Sequence, residues 1–456
     1  MKLILINPKR VGGYIIQPPL GLGYLASIAQ KYCSSVDIWD MGIGKAQYKA
    51  KIKKLKEESY DIVGISVFTS DLPEVNRVLR LIKTYKPKTK ILVGGPHPTA
   101  VKEDIFQHIP LADYAFFGEA EIGFENYLIQ ETSAEFSPEK ITNLIYRDLH
   151  GTVKFNNEEF VEDLDMIESP LWELMNPSHY PPAPHGAFFK NYPFAPIIFT
   201  RGCPMRCTFC LGANGKPRKR SIENIKEEIR FLTGNLNIRE LLVEDENFSS
   251  HKELLKEFCH FMIDEYKGQL TWSCPSGLSI VTLNAENIKL MKAAGCHSIS
   301  VGIEFGTNKM HEATNKRLNL DLIREKLKII HAIGGINVTG FFLMGLPQEK
   351  CEDINNTIDF ACSLPLQSAQ FNCFMPQPGT EIWRQFNFQD IDYHKYHVHN
   401  ISYKHPYISK NDLLRLKTKA YLRFYSRPGI IFQNLKNINS LSHLYYLIKR
   451  FINSIV

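Results

Sequence analysis

The chain has 456 residues, 44% of them hydrophobic and 22% charged, and a formal net charge of +6. That length allows two or three domains, and the composition excludes a disordered or collagen-like chain. The basic residues read as a spread, solvated surface with no nucleic-acid partner, and no run of about 18 apolar residues marks a spanning helix.

Strands are predicted at residues 3–7, 36–40, 62–68, 91–94 and 114–117, with helical patterns between them, for example at 20–31 and 73–85. The apolar run at 3–6 is too short for a signal peptide, so a cytoplasmic protein is expected. Short strands alternating with helices predict a parallel, doubly wound, Rossmann-like sheet with ligands beyond the carboxyl ends of its strands. From residue 142 to 194 the alternation stops, and the Pro-, His- and aromatic-rich stretch 176–194 reads as a linker. A second alternation follows, with strands predicted at 197–200, 240–244, 271–274, 298–303, 338–344 and 368–374. Six such β/α units suit a partial, six-stranded parallel TIM barrel better than an open sheet. After residue 382 the strands stop, and 411–425 and 441–455 read as helices. The last is basic and aromatic through Tyr445, Tyr446, Lys449, Arg450 and Phe451. Its plainer reading is packing on the barrel, its sharper one weak contact with a membrane surface. The expected division is 1–141, a linker 142–194, a barrel 195–382 and a mainly helical region 383–456.

Of ten cysteines, three fall in Cys203-Pro204-Met205-Arg206-Cys207-Thr208-Phe209-Cys210. In a reducing compartment such clustering favours metal over disulfides. Three thiolates at this spacing can hold one corner of a cubane iron–sulfur cluster and leave one iron open. A structural zinc would want a fourth ligand, and the nearest candidates are distant. The triplet follows a predicted strand, and in a β/α barrel the loops after strands carry the chemistry.

Cys-x3-Cys-x2-Cys after the first barrel strand resembles the radical S-adenosylmethionine superfamily. The resemblance implies a 4Fe-4S cluster on Cys203, Cys207 and Cys210, with S-adenosylmethionine chelating the open iron and yielding a 5′-deoxyadenosyl radical. It implies contacts to S-adenosylmethionine from Phe209, from Glu244 or Asp245 after the second strand, from Ser276 after the third and from Glu304 at the end of the fourth. Gly340-Phe341-Phe342-Leu343-Met344-Gly345-Leu346-Pro347-Gln348-Glu349 is similar to the family segment that flanks the adenine through Met344. Pro376-Gln377-Pro378-Gly379-Thr380 stands where relatives carry Pro-x-Pro-Gly-Thr.

The first third resembles the cobalamin-binding domain that precedes the barrel in one branch of that superfamily. The segments that carry this are Pro18-Pro19-Leu20-Gly21, residues 61–70, Gly94-Gly95-Pro96-His97-Pro98 and Gly118-Glu119-Ala120-Glu121. It implies cobalamin contacts at Pro19, Leu20, Gly21, Ser66, Thr69, Gly94, Gly95, His97, Gly118 and Glu119. The cobalt-binding pattern Asp-x-His-x-x-Gly is missing, which leaves His97 as a turn residue, a tail contact or, at the extreme, a cobalt ligand. No Gly-x-Gly-x-x-Gly fingerprint follows the first strand. The branch implies methyl transfer to an unactivated carbon or phosphorus, fed by an electron donor such as flavodoxin or ferredoxin. The alternatives are oxidative cyclisation or ring rearrangement with the same cofactors, and a non-catalytic cobalamin- or zinc-binding module. The substrate is expected to be a small molecule.

Overall fold

A computed structural model describes every residue except 10–15, 134, 184, 187, 214, 390, 437, 439 and 456. Pro184 and Ala187 of the expected linker thus lie outside the described residues. The chain divides into two compact units. One is Met1–Tyr180 with Tyr393–Tyr396; the other is Pro181–Asp392 with His397–Val456.

The first unit is built on β1 (Lys2–Asn7), β2 (Ser35–Asp40), β3 (Ile62–Ser66), β4 (Lys90–Gly94), β5 (Tyr114–Phe116), β6 (Leu144–Arg147) and β7 (Val153–Phe155). Their order is β2-β1-β3-β4-β5-β6-β7. Strands β1, β3 and β4 are apolar on both faces because side chains alternate between two cores. Ile4, Ile6, Val63, Ile65 and Val93 enter one core, and Leu3, Leu5, Ile62 and Leu92 the other.

Strands β1 to β5 are parallel, but β6 and β7 add antiparallel to the edge. The sheet is therefore mixed, and residues 144–155, expected in the linker, belong to it. Residues 164–180 also stay with this unit. Ser27 Oγ donates to the Ser169 carbonyl at 2.6 Å, and Leu171 N to the Gly23 carbonyl at 3.1 Å. A Cβ on Gly23 would lie 2.2 Å from Met175 Cε, so only glycine permits this approach.

The second unit holds β8 (Phe194–Ile197), β9 (Thr200–Arg201), β10 (Arg218–Lys219), β11 (Glu240–Val243), β12 (Thr271–Leu278), β13 (Cys296–Glu304), β14 (Asn337–Met344) and β15 (Ser368–Cys373). Six of these form a parallel sheet in the order β15-β14-β13-β12-β11-β8, the wall of a partial barrel. Strand β8 begins three residues ahead of the expected position. It tolerates Pro196 because it is an edge strand, where a missing N–H breaks no ladder. Strands β9 and β10 pair antiparallel outside the barrel wall.

Buried Glu240 ties the barrel's lower end. It accepts from Lys190 N at 2.7 Å and Asn191 N at 2.8 Å, and pairs with His297 at 2.8 Å. At the opposite edge the helix Lys410–Tyr425 covers β15. Phe371 N donates to the Tyr421 hydroxyl and Ala369 N to that of Tyr425, satisfying backbone groups an edge strand leaves open. Helices Pro428–Lys436 and Leu441–Ile455 follow.

Candidate functional site

The cysteine loop spans the turn between β9 and β10. At its entry Gly202 has φ +87°, and a Cβ there would stand 2.3 Å from the Lys216 carbonyl oxygen. That crossing folds residues 203–216 back on themselves. In the middle, Thr208 N donates to the Thr314 carbonyl at 3.0 Å, and its own carbonyl accepts from Ile382 N at 2.9 Å. Thr208, which the sequence left without a role, is thus the residue by which the barrel grips the loop. Cys207 is buried, Cys203 half-buried and Cys210 exposed.

Burial pushes the Cys203 and Cys207 thiols up, and the Lys316 ammonium acts against it at both. Burial pushes the Cys210 thiol up to about 11, with the Cys207, Glu246 and Cys203 charges adding to it. Three cysteines on one pinned loop, with the Lys316 ammonium favouring their charged form, fit a cluster that carries thiolate ligands.

Lys316 is a residue that sequence reasoning missed. Its Nζ lies 2.9 Å from Glu304 Oε1. Burial lowers its pKa, but Glu304 and the neighbouring thiols outweigh that and hold it above its ordinary value. Glu304 ends β13 at φ +68°, just past a register shift between Gly302 and Glu304. A Cβ on Gly302 would fall 2.6 Å from the Glu304 carboxylate and 2.8 Å from Lys316 Nζ, so this glycine makes room for the pair. A lone loop lysine carries no sequence signal; the signal lay in Gly302 before the acid.

The two acids after β11 take different places. Glu244 Oε2 accepts from Ser276 Oγ at 2.5 Å and contacts His185 Nδ1 at 2.8 Å. Ser276 sits where the β12–β13 register breaks between Cys274 and Leu278, beside Gly277 at φ +111°. Such irregularities re-aim side chains at barrel rims. His185, in the Pro-rich stretch, was not singled out by sequence. Asp245 turns inward: it is buried, accepting from Phe199 N at 2.8 Å and Thr200 Oγ1 at 2.5 Å. Burial pushes its carboxyl up to about 7. Asp245 therefore holds the strand that leads into the cysteine loop and is not presented as a ligand-facing acid.

Phe209 meets Phe305 edge to face at 6.3 Å. Met344 is buried at the end of β14. The turn after it is closed by Glu349, whose Oε2 accepts from Gly345 N at 2.6 Å and Leu346 N at 2.8 Å.

In the first unit, the order β2-β1-β3-β4-β5 reverses direction between β1 and β3, the switch point where such sheets open a crevice. Pro19, Leu20 and Gly21 follow β1 at the start of the helix Leu20–Ala29, and Ser66 and Thr69 follow β3. Nothing stands within 4 Å of a Cβ placed on Gly21. Gly94 pairs with Ser66 in register. Gly95, at φ +102°, leaves only 3.2 Å between its would-be Cβ and Val67 backbone atoms. Thr99 Oγ1 bridges the Gly95 carbonyl at 2.9 Å and Gly118 N at 3.0 Å. Open glycine-lined strand ends at a switch point fit a bulky ligand. Glu119 is turned the other way, accepting from Val161 N at 3.2 Å.

His97 does not join that surface. It is fully buried, with Nδ1 3.0 Å from Thr69 Oγ1 and Nε2 2.9 Å from His108 Nδ1. Burial, and then the His108 charge, push its pKa down to about 3. Tyr393 lies against both rings. Both ring nitrogens thus have partners within the protein.

Residues 197–361 match the model of the radical SAM superfamily, and residues 14–128 that of the B12 binding domain. The barrel of this chain thus carries a radical SAM domain, a 4Fe-4S and S-adenosylmethionine module. A B12 binding domain precedes it in the sequence.

Among curated relatives it is 28% identical to an uncharacterized methyltransferase of Pyrococcus horikoshii, covering 100% of this chain and 98% of that one. It is 26% identical to the cytidylyl-2-hydroxyethylphosphonate methyltransferase of Streptomyces wedmorensis, over 84% and 81%. It is 24% identical to the anaerobic magnesium-protoporphyrin IX monomethyl ester cyclase of Rubrivivax gelatinosus, over 94% and 78%. The fold is that of the cobalamin-dependent radical enzyme OxsB, with TM-score 0.73, 16% identity and 99% and 72% coverage. It is also that of the methyltransferase TsrM from Kitasatospora setae, with TM-score 0.65, 17% identity and 84% and 73% coverage.

Proposed function

We propose that this enzyme transfers a methyl group to an unactivated carbon or phosphorus of a small molecule. The observation that carries the reading is the end-to-end match to a chain named an uncharacterized methyltransferase, 100% of this chain against 98% of that one. When bound, the cluster and S-adenosylmethionine supply a carbon radical able to take hydrogen, and cobalamin supplies the methyl group.

This chain's residues do the rest. Cys203, Cys207 and Cys210 hold the cluster on the loop that Gly202, Thr208 and Asp245 fix. Glu244, oriented by Ser276 and His185, offers a carboxylate to an ammonium such as the methionine amino group. Phe209 gives apolar surface for an adenine. Pro19, Gly21, Ser66, Gly94, Gly95 and Gly118 line the strand ends offered to cobalamin, while Leu20 and Thr69 are buried. A flavodoxin- or ferredoxin-like donor provides electrons.

The test is an anaerobic assay of the reconstituted protein with cobalamin and methyl-labelled S-adenosylmethionine against a panel of candidate substrates. Labelled methyl in the product, with both S-adenosylhomocysteine and 5′-deoxyadenosine formed, supports the reading. A product lighter by hydrogen and free of label would replace it with oxidative cyclisation, the second reading, favoured by the match to the Rubrivivax cyclase over 94% of this chain.

A further inference from the structure

The positive charge is not spread evenly along this chain. Residues 413–456 contain eight Lys and Arg and no Asp or Glu, while residues 1–412 hold 46 basic against 48 acidic side chains. The entire net positive charge thus falls on the last three helices. The same segment concentrates exposed apolar surface. Of the twenty large hydrophobic residues that are exposed among the described ones, nine lie between Leu422 and Ile452. On the helix Leu441–Ile455 they are Leu441 (86% exposed), Tyr445 (59%), Ile448 (50%), Phe451 (38%) and Ile452 (51%). Spacings of four, three and four residues put Leu441, Tyr445, Ile448 and Ile452 on one narrow stripe, with Phe451 at its edge.

The opposite side of this helix is anchored by His443, buried against Phe189 with ring centroids 4.6 Å apart. At the edge of the stripe the partly covered Phe451 meets Tyr425 at 6.0 Å. The stripe is therefore an outward face of a docked helix. The preceding helix Pro428–Lys436 repeats the composition, with Ile431, Phe432 and Leu435 exposed and Lys436 over the Phe432 ring at 4.3 Å.

We propose that this acid-free, apolar-striped segment docks the enzyme on an anionic lipid bilayer. Lys417 is buried and Arg423 pairs with Asp359, while the exposed Lys436 and Lys449 are among the cations that can face a surface. A helix of this kind lies in the interface plane, its apolar stripe among acyl chains and its exposed cations at the headgroups. Fifteen residues span about 22 Å, short of a bilayer core, and no helix among the described residues is long and apolar enough to cross one. A second copy of the chain is disfavoured as the occupant, because two such faces would bring like charges together. Each cation near an anionic surface raises partitioning about fivefold, with strong salt dependence.

The test is co-sedimentation of the full reconstituted protein with vesicles of phosphatidylglycerol and phosphatidylcholine, or of phosphatidylcholine alone. Binding to the mixed vesicles that falls at least tenfold with 0.5 M salt, with phosphatidylcholine alone, and in the Tyr445→Ser/Ile448→Ser and Lys436→Glu/Lys449→Glu double variants is the expected result. Thermal melts of both variants matching the parent verify that they fold. Retention of binding by the variants, no binding by the parent, or a dimer in light scattering that the Tyr445→Ser/Ile448→Ser variant abolishes would each overturn the proposal.

Discussion

Glu304 and Lys316, twelve residues apart in sequence, meet at 2.9 Å beside the cysteine loop. Removing the ammonium strands a half-buried carboxylate whose charge reaches the Cys207 thiol. Lys316→Met is expected to cost about 1–3 kcal/mol, less than a fully buried pair would. It should also lower iron content per chain after anaerobic reconstitution, whereas Lys316→Arg retains most of it. Iron analysis with the visible spectrum checks both.

Glu244 and Asp245 are neighbours with separate tasks, and paired variants tell them apart. Glu244→Gln removes a charged acceptor, so S-adenosylmethionine binding is expected to weaken roughly tenfold or more. Asp245→Asn leaves that affinity near the parent's and instead lowers cluster loading, because its bonds hold Phe199 and Thr200. Equilibrium dialysis with labelled ligand and iron analysis give the two readouts.

His97→Ala opens a cavity and leaves Thr69 and His108 without their partner. The expected loss is about 2–4 kcal/mol, seen as a lower melting temperature. The visible spectrum of bound cobalamin is expected to stay that of the parent, since His97 faces away from the ligand surface. A spectral shift on this substitution would contradict the assignment.

Glu349 sets a pH dependence. Burial pushes its carboxyl up to about 8, above an ordinary value near 4.3. The folded chain thus holds this proton more tightly than the unfolded chain. Its contribution to stability is full below about pH 4 and is lost as pH rises towards about 8. Melting temperature is expected to fall between about pH 5 and pH 8, and Glu349→Gln, neutral throughout, should flatten that decline in a thermal-shift series.

The parallel strands and the cysteine loop were legible because their signals are local: β-branched runs, and three thiols within eight residues. Ser276, Glu244 and Glu304 could be placed at strand ends for the same reason. What lay hidden was long-range. Strands β6 and β7 have four and three residues, too short for a period to emerge, and they form by pairing in turn, β6 on the edge of β5 and β7 on β6. His185 and Lys316 look like ordinary loop residues until the fold brings partners 59 and 12 positions away. The inward turn of Asp245 could not be told from the outward turn of Glu244, since adjacent acids read alike until backbone N–H groups claim one of them.

The first unit is not a contiguous stretch of sequence, because Tyr393–Tyr396 returns to it to lie over His97 and His108. Any genetic exchange that swapped residues 1–180 alone between relatives would leave this histidine pair facing a foreign patch. The module that recombines as a whole therefore includes four residues beyond the barrel, and partner sequences in a chimera have to be matched at both ends.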